Sequence, residues 1–80
     1  MGYQIENEVK EIIHKVTGIE KDKILDNTSI RNELYIDSLQ AVQITSLIEE
    51  KFNVEIDEVE IFNVDIVKDI YQLILEEKKI

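Results

Sequence analysis

The 80 residues include no proline and only two glycines, a shortage that restricts the fold more than any other feature of the chain. A small all-β domain needs glycine-rich tight turns between its strands, and Gly2 and Gly18 cannot supply them. Helices joined by polar connections are the economical alternative. There is enough material for one core: a chain of 9.4 kDa should expose about 13,600 Å² unfolded and about 5,000 Å² folded. Hydrophobic residues at 44% and charged residues at 34% are globular values, so residues 1–80 are expected to form a single domain. Such a body is too small for a deep catalytic cleft.

Apolar spacing locates the helices. Between Tyr3 and Thr17, Ile5, Val9, Ile12, Ile13 and Val16 recur every three or four residues, which makes one apolar stripe on a helix. Glu6/Lys10 and Glu11/Lys15 are placed to pair along it, and Gly18 suits a left-handed stop. His14 reads as a solvated helix residue. Residues 18–36 form a long connection pinned by Ile19, Ile24, Leu25, Ile30, Leu34 and Ile36, with a short helical turn expected near Ile30–Leu34. The second helix is expected from Ser38 to Phe52, with Asp37 as N-cap and Gln40 reaching back in a capping box. Leu39, Val42, Leu47, Ile48 and Phe52 are assigned to its core stripe, broadened by Ala41, Ile44 and Thr45. Asp57 should cap a short helix over Glu58–Asn63 that buries Val59 or Ile61 with Phe62. Asp65 should cap a last helix from Ile66 to Lys79, striped by Val67, Ile70, Leu73 or Ile74, whose Lys78 and Lys79 suit the helix dipole. The expected fold is all-α: a four-helix bundle of three main helices and one short one, with a long first loop.

Charge narrows the partners. Nine Lys+Arg against 18 Asp+Glu give a formal charge of −9, which disfavours nucleic acid and anionic membrane and favours a basic protein partner. No apolar stretch is long enough to span a bilayer, and Met1-Gly2-Tyr3-Gln4-Ile5-Glu6, which lacks the basic and then apolar blocks, is not expected to be a secretion signal. The absence of Cys removes disulfides, thiolate metal sites and a cysteine nucleophile, and fits a cytoplasmic setting. The acids of the first loop lack the ligand spacing of a calcium loop, so no metal site is assigned.

The informative tract is Asp37-Ser38-Leu39. Ser38 in the first helical turn aims its hydroxyl at solvent beside unpaired backbone N–H groups, where an attached phosphate is stabilised. Asp37 fixes the turn, and Leu39 is expected to tie it to the core. Nothing nearby activates the hydroxyl, so Ser38 reads as a place where another enzyme attaches a group.

The tripeptide lies within a longer pattern. It runs through Ile5-Glu6-Asn7-Glu8-Val9-Lys10-Glu11-Ile12-Ile13 and Asp26-Asn27-Thr28-Ser29-Ile30. It continues through Leu34-Tyr35-Ile36-Asp37-Ser38-Leu39 and Ile48-Glu49-Glu50-Lys51-Phe52-Asn53-Val54-Glu55-Ile56. In these tracts, which extend over nearly the whole chain, the sequence resembles the acyl carrier protein family. The resemblance implies that Ser38 carries 4′-phosphopantetheine, delivered from coenzyme A by a carrier-protein synthase or another phosphopantetheinyl transferase. Asp37 and Leu39 complete the implied attachment site, Asp37 through metal and synthase contacts during transfer. Acyl groups would ride as thioesters on the cofactor's thiol, with catalysis left to fatty-acid or related biosynthetic enzymes bearing basic docking patches. The docking face implied on the second helix comprises Gln40, Val42, Gln43, Ser46, Glu49 and Glu50 of a monomer.

This sequence departs from the family pattern. Gln40 and Gln43 stand where acids are usual, Ser46 where a hydrophobic docking residue is common, and Asp57 replaces a usual proline. Tyr35 replaces a usual glycine and reads as a partly exposed aromatic packed on the loop, with contact to the cofactor arm or a partner as the alternative. A specialised polyketide, nonribosomal-peptide or aminoacyl carrier is the runner-up within the class. An acidic helical interaction module with Ser38 unmodified or merely phosphorylated is the competing reading from another class.

Overall fold

The computed structural model describes residues 2–77, with side chains from Gln4 onward. Four α-helices follow in order: α1 (Gly2–Thr17), α2 (Ser38–Phe52), α3 (Glu58–Asn63) and α4 (Val67–Glu77), with a short 3₁₀ turn at Lys21–Lys23. The accessible surface is 5178 Å², close to the scaling expectation for a well-packed chain of this mass.

Helix α1 buries Ile5, Val9, Ile12 and Ile13 against α2 and α4, as its stripe requires. It ends where expected. Gly18 takes the left-handed conformation at φ +80°, and its N–H donates to the His14 carbonyl at 2.8 Å. His14 is not the solvated residue the sequence suggested: half-buried, it has its Nδ1 2.8 Å from the Ile19 carbonyl oxygen. A carbonyl only accepts, so Nδ1 carries the proton. The helical pairs also differ from expectation. Among the described residues, the basic groups instead bridge elements: Lys10 to Asp26 at 3.4 Å, Lys21 to Glu11 at 3.1 Å, and Lys51 to Glu8 at 3.3 Å. An exposed helix pair is worth only a few tenths of a kcal/mol, so neighbouring elements readily capture its members.

The long first connection is held at both side chain and backbone. Ile24, Ile30, Leu34 and Ile36 are buried, whereas Leu25, expected to help pin the loop, is exposed. The turn over residues 30–33 is present as expected. It is braced by Glu33 accepting from the Ser29 N–H and by the Ser29 hydroxyl oxygen accepting from the Asn32 N–H. The first-turn N–H groups of α4 lack intrahelical partners. Two of them find carbonyls in this loop: Val67 donates to Thr28 at 3.1 Å and Lys68 to Asp26 at 2.9 Å. Asp65 therefore does not cap α4. The carboxylate that reaches back is Asp69, accepting from the Asp65 and Ile66 N–H groups at 3.2 and 3.3 Å. Lys78 and Lys79, assigned to the end of this helix, lie outside the described residues.

Helix α2 forms over the expected residues with its expected N-cap, but it is rotated relative to the expected stripe. Ala41, Ile44, Thr45 and Ile48 are buried, Leu47 and Phe52 half-buried, and Leu39 and Val42 face solvent. The bounds of α3 match those expected, and of its apolar residues Ile61 is fully buried, Phe62 half-buried and Val59 exposed.

Candidate functional site

The N-terminus of α2 is fixed by both halves of a capping box. The Gln40 N–H donates to Asp37 Oδ1 at 2.8 Å, and the Asp37 N–H donates to Gln40 Oε1 at 3.3 Å. The Ala41 N–H donates to the Asp37 carbonyl at 2.9 Å. Immediately before the box, the side chain of Ile36 is buried and its N–H donates to the Ile30 carbonyl at 3.1 Å. Ile36 is thus the core anchor of this turn, in place of Leu39, which is 67% exposed. The correction follows from helix geometry: residues 39 and 41 differ by about 200° around the axis, so burying Ala41 turns Leu39 outward.

Ser38 is the first residue of α2 and is exposed. Its hydroxyl makes no hydrogen bond to another described residue, so the oxygen is free to react. The Ser38 and Leu39 amides, in the first helical turn, point their dipoles out of the same end, which favours a phosphate ester there. Among the described residues there is no group of three or more His, Asp or Glu that could hold a metal ion, and His14 is committed to Ile19. The arrangement presents a nucleophilic oxygen without a base to activate it. It therefore suits modification by another enzyme.

The residues assigned to docking fall into two groups. Val42, Gln43, Ser46 and Glu50 are exposed and share the outward side of α2 with Leu39. Gln40 is occupied in the capping box, and Glu49 is half-buried, with its Oε2 accepting from the Ile56 N–H at 3.0 Å. Glu49 thereby fastens the segment that leads into α3, a role the sequence pattern did not suggest.

Tyr35 is the largest surprise beside the serine. Its backbone is left-handed at φ +55° and its side chain is 75% exposed, so it does not pack on the loop. A left-handed residue with a side chain costs on the order of 1 kcal/mol relative to glycine. The glycine usual at this position is the sequence signal that could have revealed the geometry.

Comparison with known proteins agrees with this geometry. The family described as phosphopantetheine attachment site matches residues 7–74, a span that includes Ser38. The acyl carrier protein of Buchnera aphidicola subsp. Schizaphis graminum is 41% identical over 54 residues, covering 68% of each chain. The acyl carrier protein of Zymomonas mobilis is 34% identical over 70 residues, 88% of this chain and 90% of that one. A second Buchnera acyl carrier protein, from the subspecies Baizongia pistaciae, shows the same identity and coverage. With relatives at that identity along most of its length and the attachment-site pattern running from α1 into α4, the chain belongs to the acyl carrier protein family.

Proposed function

We propose that Ser38 is the attachment point of 4′-phosphopantetheine in a single carrier domain spanning residues 1–80. The observation that carries this reading is the free, exposed hydroxyl on the first residue of α2, set in place by the Asp37–Gln40 capping box. A member of this family is a carrier and not a catalyst, and it works with a phosphopantetheinyl transferase and with biosynthetic enzymes. In the attachment step the Ser38 oxygen displaces adenosine 3′,5′-bisphosphate from coenzyme A. A phosphodiester forms as the pyrophosphate bond breaks, and the hydroxyl proton passes to a base of the transferase. Asp37 holds the turn in register and would be the residue that approaches the transferase's metal. When attached, the group supplies the thiol on which acyl cargo rides, which a chain with no Cys cannot provide itself.

Docking of the acyl-transferring enzymes is assigned to the outward side of α2, through Val42, Gln43, Ser46 and Glu50, with the tethered Gln40 and Glu49 at its edges. No helix among the described residues is long and apolar enough to cross a membrane. A monomer in the cytoplasm is the setting this reading favours. Incubating the purified apo-protein with coenzyme A and a broad-specificity phosphopantetheinyl transferase, followed by intact mass spectrometry, tests the assignment. One phosphopantetheine group should be added to the wild type and none to Ser38→Ala. A wild type that stays at its polypeptide mass, or an undiminished gain in Ser38→Ala, rejects it.

A further inference from the structure

Three apolar side chains stand in solvent around Ser38: Tyr35 at 75% exposure, Leu39 at 67% and Val42 at 41%. Burying them inside the bundle would have stabilised it, and the chain does not do so. Tyr35 is held outward by a left-handed backbone that tyrosine adopts only at a cost, and an observed strain of this kind points toward function. On the surface between them Gln40, Gln43 and Ser46 are neutral, and the charge beside the serine is the exposed Asp37 carboxylate, which also accepts the Gln40 N–H. Any enzyme that reaches the Ser38 oxygen must cover these neighbours, because Tyr35 lies three residues before it and Leu39 directly after.

Building on the assignment of Ser38, we propose that Tyr35 is a docking anchor for the phosphopantetheinyl transferase. Its ring, with Leu39 and Val42, fills an uncharged apolar rim around the mouth of that enzyme. Recognition at this end of α2 then depends on desolvating the ring. Beyond Asp37, attraction between acids and a basic patch has few groups to act on there, because Gln40, Gln43 and Ser46 are neutral, even though the chain as a whole is strongly acidic. Aromatic residues buried at the centre of an interface commonly dominate its energetics.

The test is steady-state modification of the apo-protein by a broad-specificity transferase with coenzyme A. Two substitutions separate the ring from the backbone. Tyr35→Asn keeps a residue that tolerates the left-handed conformation but removes the apolar ring, and Tyr35→Phe keeps the ring. Losing the ring should raise the KM for the carrier about tenfold in Tyr35→Asn, with kcat little changed. Tyr35→Phe should stay near wild type. Wild-type KM should move less than about threefold between roughly 50 and 500 mM NaCl, because desolvation of an apolar ring is not weakened by screening. Circular dichroism establishes that each variant is folded. A Tyr35→Asn KM within about threefold of wild type, or a larger rise of the wild-type KM with salt, overturns the proposal. Modification at Ser38 with an unaltered Tyr35→Asn KM sinks this inference alone. No modification of the wild type sinks both it and the Ser38 assignment.

Discussion

At the scale of single residues, Asp37 is asked to do two different things, and they can be separated. Its carboxylate accepts the Gln40 N–H at 2.8 Å, a structural contribution that any good N-cap acceptor can make. Its charge next to Ser38 is what the attachment step would use. Replacing a capping Asp with Ala costs about 1 kcal/mol, which in a domain of this size lowers Tm by about 4–8 °C. Asp37→Asn keeps the acceptor and should melt within a degree or two of wild type, yet it should be modified more slowly at Ser38. Thermal melts beside a timed mass assay distinguish the two. Equal slowing of modification in a variant that has also lost stability would assign Asp37 to structure only. Tyr35 shows the same separation of fold from use, since its backbone conformation suits glycine and its side chain is mostly exposed.

Among elements, the contact that closes the bundle is the Asp26 node. The Tyr71 hydroxyl of α4 donates to Asp26 Oδ1 at 2.9 Å, Lys10 of α1 pairs with the same oxygen at 3.4 Å, and the Asp26 carbonyl accepts from the Lys68 N–H. One loop residue thus ties α1 to α4. Burial, reinforced by the hydrogen bond to Asp26 and by its negative charge, pushes the Tyr71 phenol well above the usual tyrosine value of 10. The folded state therefore holds this proton more tightly than the unfolded chain. Its contribution is fully present below about pH 10 and is lost as pH rises further. Tyr71→Phe should cost about 1 kcal/mol near neutrality, the worth of one hydrogen bond. Its urea midpoint should then fall less steeply than that of wild type above about pH 10. Parallel declines in the two proteins would show that Tyr71 is not the group responsible. The Glu11 carboxyl shifts the other way, lowered chiefly by its bond to Lys21, so its small contribution is present at neutral pH and fades as pH falls below the unfolded value.

What the sequence made legible follows from which interactions are local. The bounds of α2 and α3 and the stop at Gly18 depend on capping groups within a few residues, and all three could be read directly. Which way α2 faces could not, because Leu39 and Val42 are as apolar as Ile44 and Ile48, and only packing against α1 and α3 selects among them. The partners of Lys10 and Glu11 were hidden for the same reason: each is chosen by the meeting of separate elements. Ser38 was legible because its position depends only on the adjacent cap, whereas the exposure of Tyr35 follows from a left-handed backbone angle whose one sequence signal was the glycine usual at that position.

For the molecule as a whole, the governing quantity is a charge of −9 on a body measuring 32 × 24 × 19 Å. Self-repulsion at that density is spread unevenly. Three lysines on α1, on α2 and in the first loop are paired across elements, which offsets repulsion over that part of the bundle. Around α3, Glu55, Asp57, Glu58 and Glu60 are all exposed, and none forms an ion pair among the described residues. The same helix spans only Glu58–Asn63 and fully buries one side chain, Ile61, so it has the least apolar burial with which to resist. Among the described residues its one cationic contact is Arg31 over the Phe62 ring at 5.4 Å, worth about 0.5–1 kcal/mol at an exposed site. Shortening the Debye length from about 30 Å at 0.01 M salt to about 8 Å at 0.15 M should therefore stabilise α3 more than α1. Amide hydrogen exchange followed across that salt range should show protection rising several-fold at α3 and far less at the buried face of α1. Uniform change across all four helices would place the repulsion in the global fold, and no change would mean that counter-charges already balance it.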